Sequence, residues 1–345
     1  MSNVPDGMLL RTHLTCRQVA GVPGVVDLSE AMTVPLRPAE CQTRDQATIR
    51  RELTDPERRM LVSQPDYTIR TMTRAELDLC IEWAAQEGWN PGLNDAQVFY
   101  LADPQGFLVG LLDGVPIASI SAVRYGPDFG FIGFYLVTPE HRGKGYGLAI
   151  WKEAMARLQG RLIGLDGVVA QQANYQRSGF KLAYNNVRYQ MVSKPVQADA
   201  AGDLADVREV SLTELFAYDR RCFPRQREAF LEYWIQQPGS HAKAVLINGV
   251  LRGFGVLRAC RVGYKIGPLF ADDEMIALQI YGALTEEVET GSQIQFDIPD
   301  QNQQALSLVR YLGMEPVFET ARMYTGCAPA LDMHRMFGVT TFELG

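Results

Sequence analysis

The stretch that most constrains the fold is Phe131–Leu158, which reads as a strand, a glycine-rich turn and a helix. Phe131–Val137 is apolar or aromatic apart from Gly133, as expected for a strand that is buried on both faces. Pro139 ends this strand, and Arg142–Gly147 follows with glycine at three alternate positions. Apolar residues then recur at helical spacing, at Leu148, Trp151, Met155 and Leu158. This order predicts an α/β fold in which a helix begins directly after a buried strand.

The glycine-rich turn Arg142–Gly147 has the properties of an anion-binding site. The first amides of a helix have no partner within the helix, and the helix dipole is positive at that end. Glycine lets the backbone approach a phosphate without a Cβ in the way. The spacing Gly143-x-Gly145-x-Gly147 fits neither the Walker A pattern nor the dinucleotide pattern G-x-G-x-x-G, which excludes those two classes of phosphate loop.

The turn resembles the acyl-CoA loop of the GNAT superfamily of N-acetyltransferases, whose pattern is R/Q-x-x-G-x-G/A. Arg142, Gly145 and Gly147 occupy its fixed positions, and Leu136–Arg142 resembles the way in which these enzymes leave their fourth strand. The resemblance implies an α/β fold with a mixed, mostly antiparallel sheet flanked by helices. It also implies an enzyme that transfers an acyl group from acyl-CoA directly to an amine in a ternary complex.

The segment 67–193 carries signals for the remaining elements of one such domain. A capping box at Thr73–Glu76 predicts a helix that runs to about Gly88. Asp113-Gly114 predicts a hairpin between two β-rich runs. Further elements are predicted as a strand from Tyr67, a strand at Arg161–Val169, a short helix at Gln171–Ser178 ended by Gly179, and a final strand with alternating Val187, Tyr189 and Met191.

Residues 208–345 repeat this pattern, which indicates a duplication. The glycines of the two hairpin signals, Gly114 and Gly249, are 135 positions apart, and the glycines that end the two short helices, Gly179 and Gly313, are 134 apart. In place of the glycine-rich turn the second copy has three carboxylates, which would repel a pyrophosphate: Asp272, Asp273 and Glu274. The sequence therefore predicts two GNAT-like domains in tandem, of which only the first binds CoA.

The predicted boundaries divide the chain into four segments. Residues 1–66 form an extension of unknown role, and residues 67–193 form the catalytic domain. A polar, alanine-rich linker at 194–207 precedes the degenerate domain at 208–345.

Composition narrows the class of protein. The net charge of −7 argues against nucleic-acid binding and is compatible with cationic substrates. No apolar run approaches the length of a membrane span, and the first residues lack the pattern of a signal peptide. The six cysteines are scattered without a C-x-x-C pair, so we expect no metal and a cytoplasmic protein with reduced thiols.

The resemblance assigns expected roles at the cofactor site. By position, Leu136 and Val137 bind the pantetheine arm and the thioester carbonyl of acetyl-CoA. The pyrophosphate is expected on the loop residues Arg142, Gly143, Lys144, Gly145, Tyr146 and Gly147. Tyr175 matches the family pattern Y-x-x-x-G-F and is expected to protonate the leaving thiolate. The asparagine that the family places seven positions earlier is Val168 here, so Asn174 is expected to replace part of its contact.

The acceptor side is less defined by the sequence. Trp89, Asn90 and Asp95 lie in the segment that forms one wall of the acceptor cleft in this fold. An aromatic ring and a carboxylate suit a cationic amine, although a loop held by its own proline, glycine and asparagine residues explains them equally well. Another set either covers the cleft from the second domain or forms a packed helix face: Cys222–Arg225, Phe230 and Trp234.

No general base can be identified. Many relatives carry a carboxylate on the fourth strand, but Phe131–Val137 has none. Glu140 and His141 are interpreted as loop residues that face solvent. A water chain to bulk solvent, or an amine that loses its proton before it binds, is equally compatible with the sequence.

Two hypotheses from different classes follow. The first is a cytoplasmic N-acetyltransferase that moves an acetyl group from acetyl-CoA to a primary amine of a small molecule, with protein amines as the rival acceptor. The second is a non-catalytic acyl-CoA sensor in which the second domain is an interaction surface. The intact loop together with Tyr175 favours the enzyme.

Overall fold

The computed structural model describes residues 66–196 and 198–345. The predicted extension at 1–66 therefore lies outside the described residues, except for its last position. The strands are β1 Tyr67–Thr71, β2 Phe107–Leu112, β3 Val115–Tyr125, β4 Phe129–Val137, β5 Leu162–Val168, β6 Lys181–Val192, β7 Asp203–Asp206, β8 Ser240–Ile247, β9 Val250–Ala259, β10 Tyr264–Ala271, β11 Gln293–Pro299, β12 Glu315–Tyr324 and β13 Met336–Gly338. The helices are α1 Arg74–Gln86, α2 Asp95–Ala102, α3 Tyr146–Arg157, α4 Gln172–Arg177, α5 Leu212–Cys222, α6 Glu228–Gln236, α7 Glu274–Thr285 and α8 Gln303–Leu312.

All these strands belong to one mixed sheet in which the two halves of the chain lie end to end. The order is β1-β2-β3-β4-β5-β12-β6-β11-β10-β9-β8-β7, and β13 pairs with β10. Strands β4 and β5 are parallel, as are β10 and β11, and the other pairs are antiparallel. The predicted fold class, a mixed and mostly antiparallel sheet flanked by helices in two GNAT-like units, is confirmed.

The two halves exchange one strand at the centre of the sheet. β12 comes from the second half but lies between β5 and β6, and β6 comes from the first half but pairs with β11. The predicted final strand of the first domain, residues 187–191, therefore completes the edge of the second half. The division into segments 67–193 and 208–345 stays a prediction, because each segment contributes a strand to the other half.

Each exchanged strand carries a buried arginine that pairs with an aspartate of the receiving half. Arg188 on β6 lies opposite Asp297 on β11, with Nε–Oδ1 and Nη2–Oδ2 distances of 2.7 and 2.9 Å. Arg322 on β12 lies opposite Asp166 on β5, with the corresponding distances of 2.7 and 2.6 Å. Burial acts to raise the pKa of Asp297, but the Arg188 guanidinium outweighs it and holds that pKa below its usual range. The two bidentate pairs occupy equivalent places, and each joins an exchanged strand to the half that receives it.

Several locally encoded elements agree with the sequence predictions. Thr73 and Glu76 form the predicted capping box of α1. Asp113 and Asn248, each followed by glycine, adopt positive φ angles of 50° and 53° in the two hairpin turns. Gly313 ends α8 in the left-handed conformation. These signals are carried by neighbouring residues and do not depend on the strand exchange.

The predicted linker at 194–207 differs from expectation because it contains β7. This strand pairs only with β8 and is half exposed, so it needs few large apolar residues. Its polar composition therefore hid a strand from the sequence analysis.

The helices cover both faces of the sheet and close a core between the halves. α3 packs on β2, β3 and β4, and Gly130 leaves room for Leu158 there. On the other face, α2 and α6 meet, with Phe99 stacked on Trp234 at 5.8 Å. Cys222, Phe230 and Trp234 are buried in this core, which supports the packed helix face over a cover for the cleft. Among residues 66–196 and 198–345, no helix combines the length and apolar character that crossing a membrane requires.

Candidate active site

β4 and β5 separate partway along their length. They pair only from Phe129↔Leu162 to Ile132↔Leu165, so the β5-facing edge of β4 is unpaired from Gly133 to Val137. The other edge of β4 stays bonded to β3, including the predicted cofactor residues Leu136 and Val137. A free strand edge offers N–H and C=O groups to an extended ligand.

A β-bulge at Phe134 changes the course of β4 along this unpaired edge. Phe134 has a positive φ of 46°, and the register with β3 shifts between Ser119 and Ser121. The Ser119 hydroxyl donates to the Phe134 carbonyl at 2.9 Å and so holds the bulge from the buried side. A phenylalanine in this conformation is strained, and such strain is often found at functional sites.

The glycine-rich turn opens α3 without a side-chain cap. Gly145 is the N-cap residue, and Gly143 and Gly145 have φ angles of 71° and 87°. A Cβ at Gly145 would meet no atom within 4 Å, so the space in front of the helix is open. Open space, uncapped amides and the free β4 edge together fit the pyrophosphate and pantetheine parts of acetyl-CoA.

The Arg142 side chain holds the loop against the rest of the domain. Its Nε donates to the Val137 carbonyl at 2.8 Å, and its Nη2 donates to Glu87 at 2.6 Å. Since its guanidinium already has these acceptors, anion binding in this loop depends on the main-chain amides. Lys144 is exposed, and the Tyr146 ring packs on Tyr67 with centroids 4.7 Å apart.

A cleft lies in the gap between β4 and β5, and both halves of the chain line it. The first half contributes the bulged part of β4, the separated end of β5 and α3, and the second half contributes β12 and the segment after β13. The lining includes Trp89, Tyr135, Trp151, Tyr175, Arg188, Phe318, Thr320, Phe342 and Glu343.

Tyr175, the residue that the sequence analysis proposes as the acid, lines this cleft. Its ring packs on Gly167 of β5, where a Cβ would overlap it, and tilts against Trp151 at 5.7 Å. Burial raises the pKa of Tyr175, so the phenol carries its proton at neutral pH and can donate it.

Tyr135 is a second tyrosine in the cleft, which the sequence analysis missed. It follows the bulged Phe134, its hydroxyl is buried without a hydrogen-bond partner among the described residues, and burial raises its pKa. The sequence places Tyr135 in the predicted fourth strand. The alternation of side chains along a regular strand does not show that the bulge turns Tyr135 into the cleft.

The predicted acceptor residues fall into two groups. Trp89 lines the cleft, and its carbonyl accepts from Arg188 and Lys265. Asn90 instead bonds both backbone groups of Val262, and Asp95 is buried in an ion pair with Arg258 at 2.9 Å. Asn90 and Asp95 therefore connect the two halves and lie outside the cleft lining, because the strand exchange brings Val262 and Arg258 against this loop.

The remaining predicted positions also lie outside the lining. The side chain of Asn174 bonds Gln171 and Arg177 within its own turn. Glu140 is exposed, and His141 bonds Thr138 at 2.8 Å. This agrees with the interpretation of Glu140 and His141 as loop residues.

Three carboxylates line the cleft, and two of them are paired. Glu87 pairs with Arg142 and Asp166 pairs with Arg322, both at 2.6 Å. Glu343 is 6% exposed, and its carboxylate accepts a hydrogen bond from the Thr341 hydroxyl.

The equivalent region of the second half is closed. β10 and β11 likewise pair over a short stretch, here of three residues, but β13 fills the gap beyond, opposite Leu269 and Phe270. The N-terminus of α7 is capped by Asp273, whose carboxylate accepts from the Ile276 amide at 3.0 Å. No cluster of three or more metal-ligating side chains occurs in the part of the chain that the structure describes.

Comparisons with known proteins agree with this architecture. A model of the acetyltransferase (GNAT) family matches residues 72–180, and a model of the acetyltransferase (GNAT) domain matches residues 215–338. The chain is 29% identical to holothin acyltransferase of Pseudoalteromonas sp. over 287 residues. The aligned region covers 83% of this chain and 97% of that protein.

Two solved structures share the fold. One is a protein of Pyrococcus horikoshii assigned as an acetyltransferase, with a TM-score of 0.70 and 21% identity over 81% of this chain and 96% of the other. The second is a tandem GNAT protein from the clavulanic acid biosynthesis pathway, with a TM-score of 0.55 and 14% identity over 76% of this chain and all of the other. With both halves matched, the chain belongs to the GNAT superfamily, as an acyltransferase that carries two GNAT domains in tandem.

Proposed function

We propose that this acyltransferase is an N-acetyltransferase that moves an acetyl group from acetyl-CoA to a primary amine of a small molecule, by direct attack in a ternary complex. The observation that carries the proposal is the gap between β4 and β5, which adjoins the uncapped N-terminus of α3 in the first half. One acetyl-CoA per chain is part of the proposal, since the second half fills its own gap with β13.

The chain's own groups divide the binding of acetyl-CoA between them. The amides from Gly143 to Gly147 would hold the pyrophosphate. The edge of β4 that β5 leaves unpaired would hold the pantetheine arm near Leu136 and Val137, apart from the Val137 carbonyl, which already accepts from Arg142. When bound, acetyl-CoA supplies the activated thioester carbonyl. Tyr175 Oη holds a proton for the leaving sulfur, with Tyr135 Oη as the neighbouring alternative donor.

The walls of the cleft support a small acceptor. Aromatic side chains from both halves surround the gap, among them Trp89, Phe318 and Phe342. A flat or apolar amine suits such walls. The relative named holothin acyltransferase supports acyl transfer, because its name describes the acylation of holothin. We also propose a cytoplasmic location, which the free thiols of Cys80, Cys222 and Cys260 support.

The test measures turnover of acetyl-CoA with a panel of amines, and the release of free thiol is the readout. The panel contains small primary amines and lysine-containing peptides at equal concentration. We expect thiol release that depends on a small amine. Tight CoA binding in calorimetry without release by any amine would support the sensor, and faster release with the peptides would identify protein amines as acceptors.

A further inference from the structure

The segment 339–345 enters the cleft of the first half directly from the strand that closes the second. The backbone amide of Val339 donates to the backbone carbonyl of Asp297 on β11 at 2.8 Å. Arg227 donates to the Thr340 hydroxyl and to the Gly345 carbonyl at 2.8 and 3.0 Å. The whole segment is buried, so its position is fixed by the fold.

Glu343 lies where a side chain of β4 would otherwise be. A Cβ at Gly133 would overlap the backbone of Glu343, so the glycine in this apolar strand makes room for it. Gly133 belongs to the unpaired part of β4, beside the Phe134 bulge. Glu343 therefore brings a carboxylate to a strand that has none of its own.

The other carboxylates of the cleft are already engaged. Asp166 and Glu87 have arginine partners at 2.6 Å, whereas within the described residues no arginine or lysine forms an ion pair with Glu343. A carboxylate without such a partner can accept a proton from a substrate without first breaking an ion pair.

Three buried cations interact electrostatically with Glu343, come from three strands and have other acceptors. Arg188 of β6 is bonded to Asp297, Arg258 of β9 is bonded to Asp95, and Lys265 of β10 donates to the Trp89 carbonyl at 2.8 Å. The Thr341 hydroxyl is the neutral group on its own segment.

We propose that Glu343, delivered by the second half, is the general base that deprotonates the acceptor amine. One proton passes from the ammonium nitrogen to Glu343 Oε, the nitrogen lone pair forms the C–N bond, and the C–S bond breaks with its electron pair on sulfur. Sulfur then takes a proton from a cleft tyrosine, the new amide nitrogen releases its second proton to restore that tyrosine, and Glu343 returns its proton to solvent. The degenerate half is thus part of the active site. This inference rests on the proposed N-acetyltransferase function.

The test compares Glu343→Gln with wild type, using phenethylamine, which is protonated at neutral pH, and aniline, which is not. We expect kcat with phenethylamine to fall at least about tenfold, because general base catalysis is typically worth about 10²–10⁴-fold. The loss with aniline should be smaller, and the phenethylamine pH–rate profile should move to higher pH. Glu343→Asp should restore part of kcat. Acetyl-CoA affinity in calorimetry and the thermal midpoint should match wild type.

The matched control is Glu140→Gln, an exposed carboxylate on the loop before α3, which should leave kcat and the pH profile unchanged. A rise in KM for phenethylamine with kcat unchanged would show that Glu343 only binds charge, and would overturn the proposal. Equal losses with both amines would assign it a structural role and would overturn it too. If wild type acetylates no amine, the proposed function itself fails, which is a separate result from an active enzyme with an unaffected Glu343→Gln variant.

Discussion

The two halves share one architecture and differ at the places where a cofactor would bind. In the first half the gap beside β4 is open, and α3 begins at Gly145 without a side-chain cap. In the second half the gap beside β10 holds β13, and α7 is capped by the Asp273 carboxylate. The comparison teaches that both places can be filled from within the chain, by a strand in the gap beside β10 and by a carboxylate at the start of α7.

Replacing Gly145 by aspartate tests the open half and should have the largest effect. Gly145 has a φ of 87°, where a side chain costs about 1–3 kcal/mol, and the new carboxylate lies where the pyrophosphate is expected. We expect acetyl-CoA affinity to fall by about a hundredfold or more in calorimetry. The matched control is Gly160→Asp, which imposes a similar φ of 80° after the other end of α3. Wild-type affinity in a folded Gly145→Asp protein would contradict the assignment.

Breaking one of the equivalent ion pairs tests the exchange between the halves. Arg322→Met leaves Asp166 buried without its arginine, which should lower the free energy of unfolding by about 3–5 kcal/mol. Adding Asp166→Leu removes the uncompensated charge and should recover much of this loss in urea denaturation. Arg225→Met removes an exposed pair with Asp128 and is the control with little expected change. A single variant as stable as wild type would show that the exchange does not depend on this pair.

The two cleft tyrosines sharpen the comparison within the open half. Tyr175→Phe removes one oxygen and keeps the ring on Gly167, so kcat should fall at least about tenfold with acetyl-CoA affinity unchanged. Tyr135→Phe is the matched variant, and its kcat should fall less. A larger loss for Tyr135→Phe would transfer the acid role to Tyr135. Because burial raises both pKa values, neither phenol should produce the basic limb of the pH–rate profile in the free enzyme.

Lys265 of the second half donates to the Trp89 carbonyl of the first half, and replacing Lys265 tests how much stability its buried charge costs. Burial, with Arg188 nearby, lowers the pKa of Lys265 to about 8 from 10.5. Between these values the unfolded chain binds more protons, so wild-type stability should gain from this group as the pH rises. Lys265→Met should stabilise the fold at pH 7 by about 1–2 kcal/mol, since the lost bond to Trp89 offsets part of the gain. The check is to measure the urea midpoints of wild type and variant at several pH values from 7 to 10. The difference between the two midpoints should shrink as the pH rises, and a constant difference would refute the shifted pKa.

Removing the carboxylate cap of the closed half should have the smallest effect. Asp273→Gly frees the Ile276 amide, but β13 still fills the gap beside β10. We expect calorimetry to give one acetyl-CoA per chain for the variant and for wild type. Two sites in the variant would show that the cap alone closes the second half.

The parts of the fold that were predicted are those encoded by adjacent residues. The capping box at Thr73–Glu76, the turns at Asp113 and Asn248 and the Gly145 turn need no knowledge of distant partners. The strand exchange could not be predicted in the same way. β6 alternates polar and apolar residues, and this pattern is the same whether its neighbour is β5 or β12.

The same limit explains the outcome at the cleft. Tyr175 was found because its pattern is local, and Asp95 was chosen because it lies near Trp89 in sequence. Its true partner, Arg258, is 163 positions away, so its burial in an ion pair left no local sign. Glu343 meets Gly133 through the tertiary fold, and the only hint in the sequence was that Gly133 interrupts the otherwise apolar stretch Phe131–Val137.

The place of β12 has a consequence for how the protein is made. β5 gains its second neighbour only when residues 315–324 have been synthesised, so the growing chain carries an unpaired edge while residues 169–314 are made. Domains usually fold in order as they leave the ribosome, but here the first cannot complete its sheet before the second. The first half therefore reaches its native topology only after β12 has been made, and a truncated first half alone would present that edge to other chains as a site for aggregation.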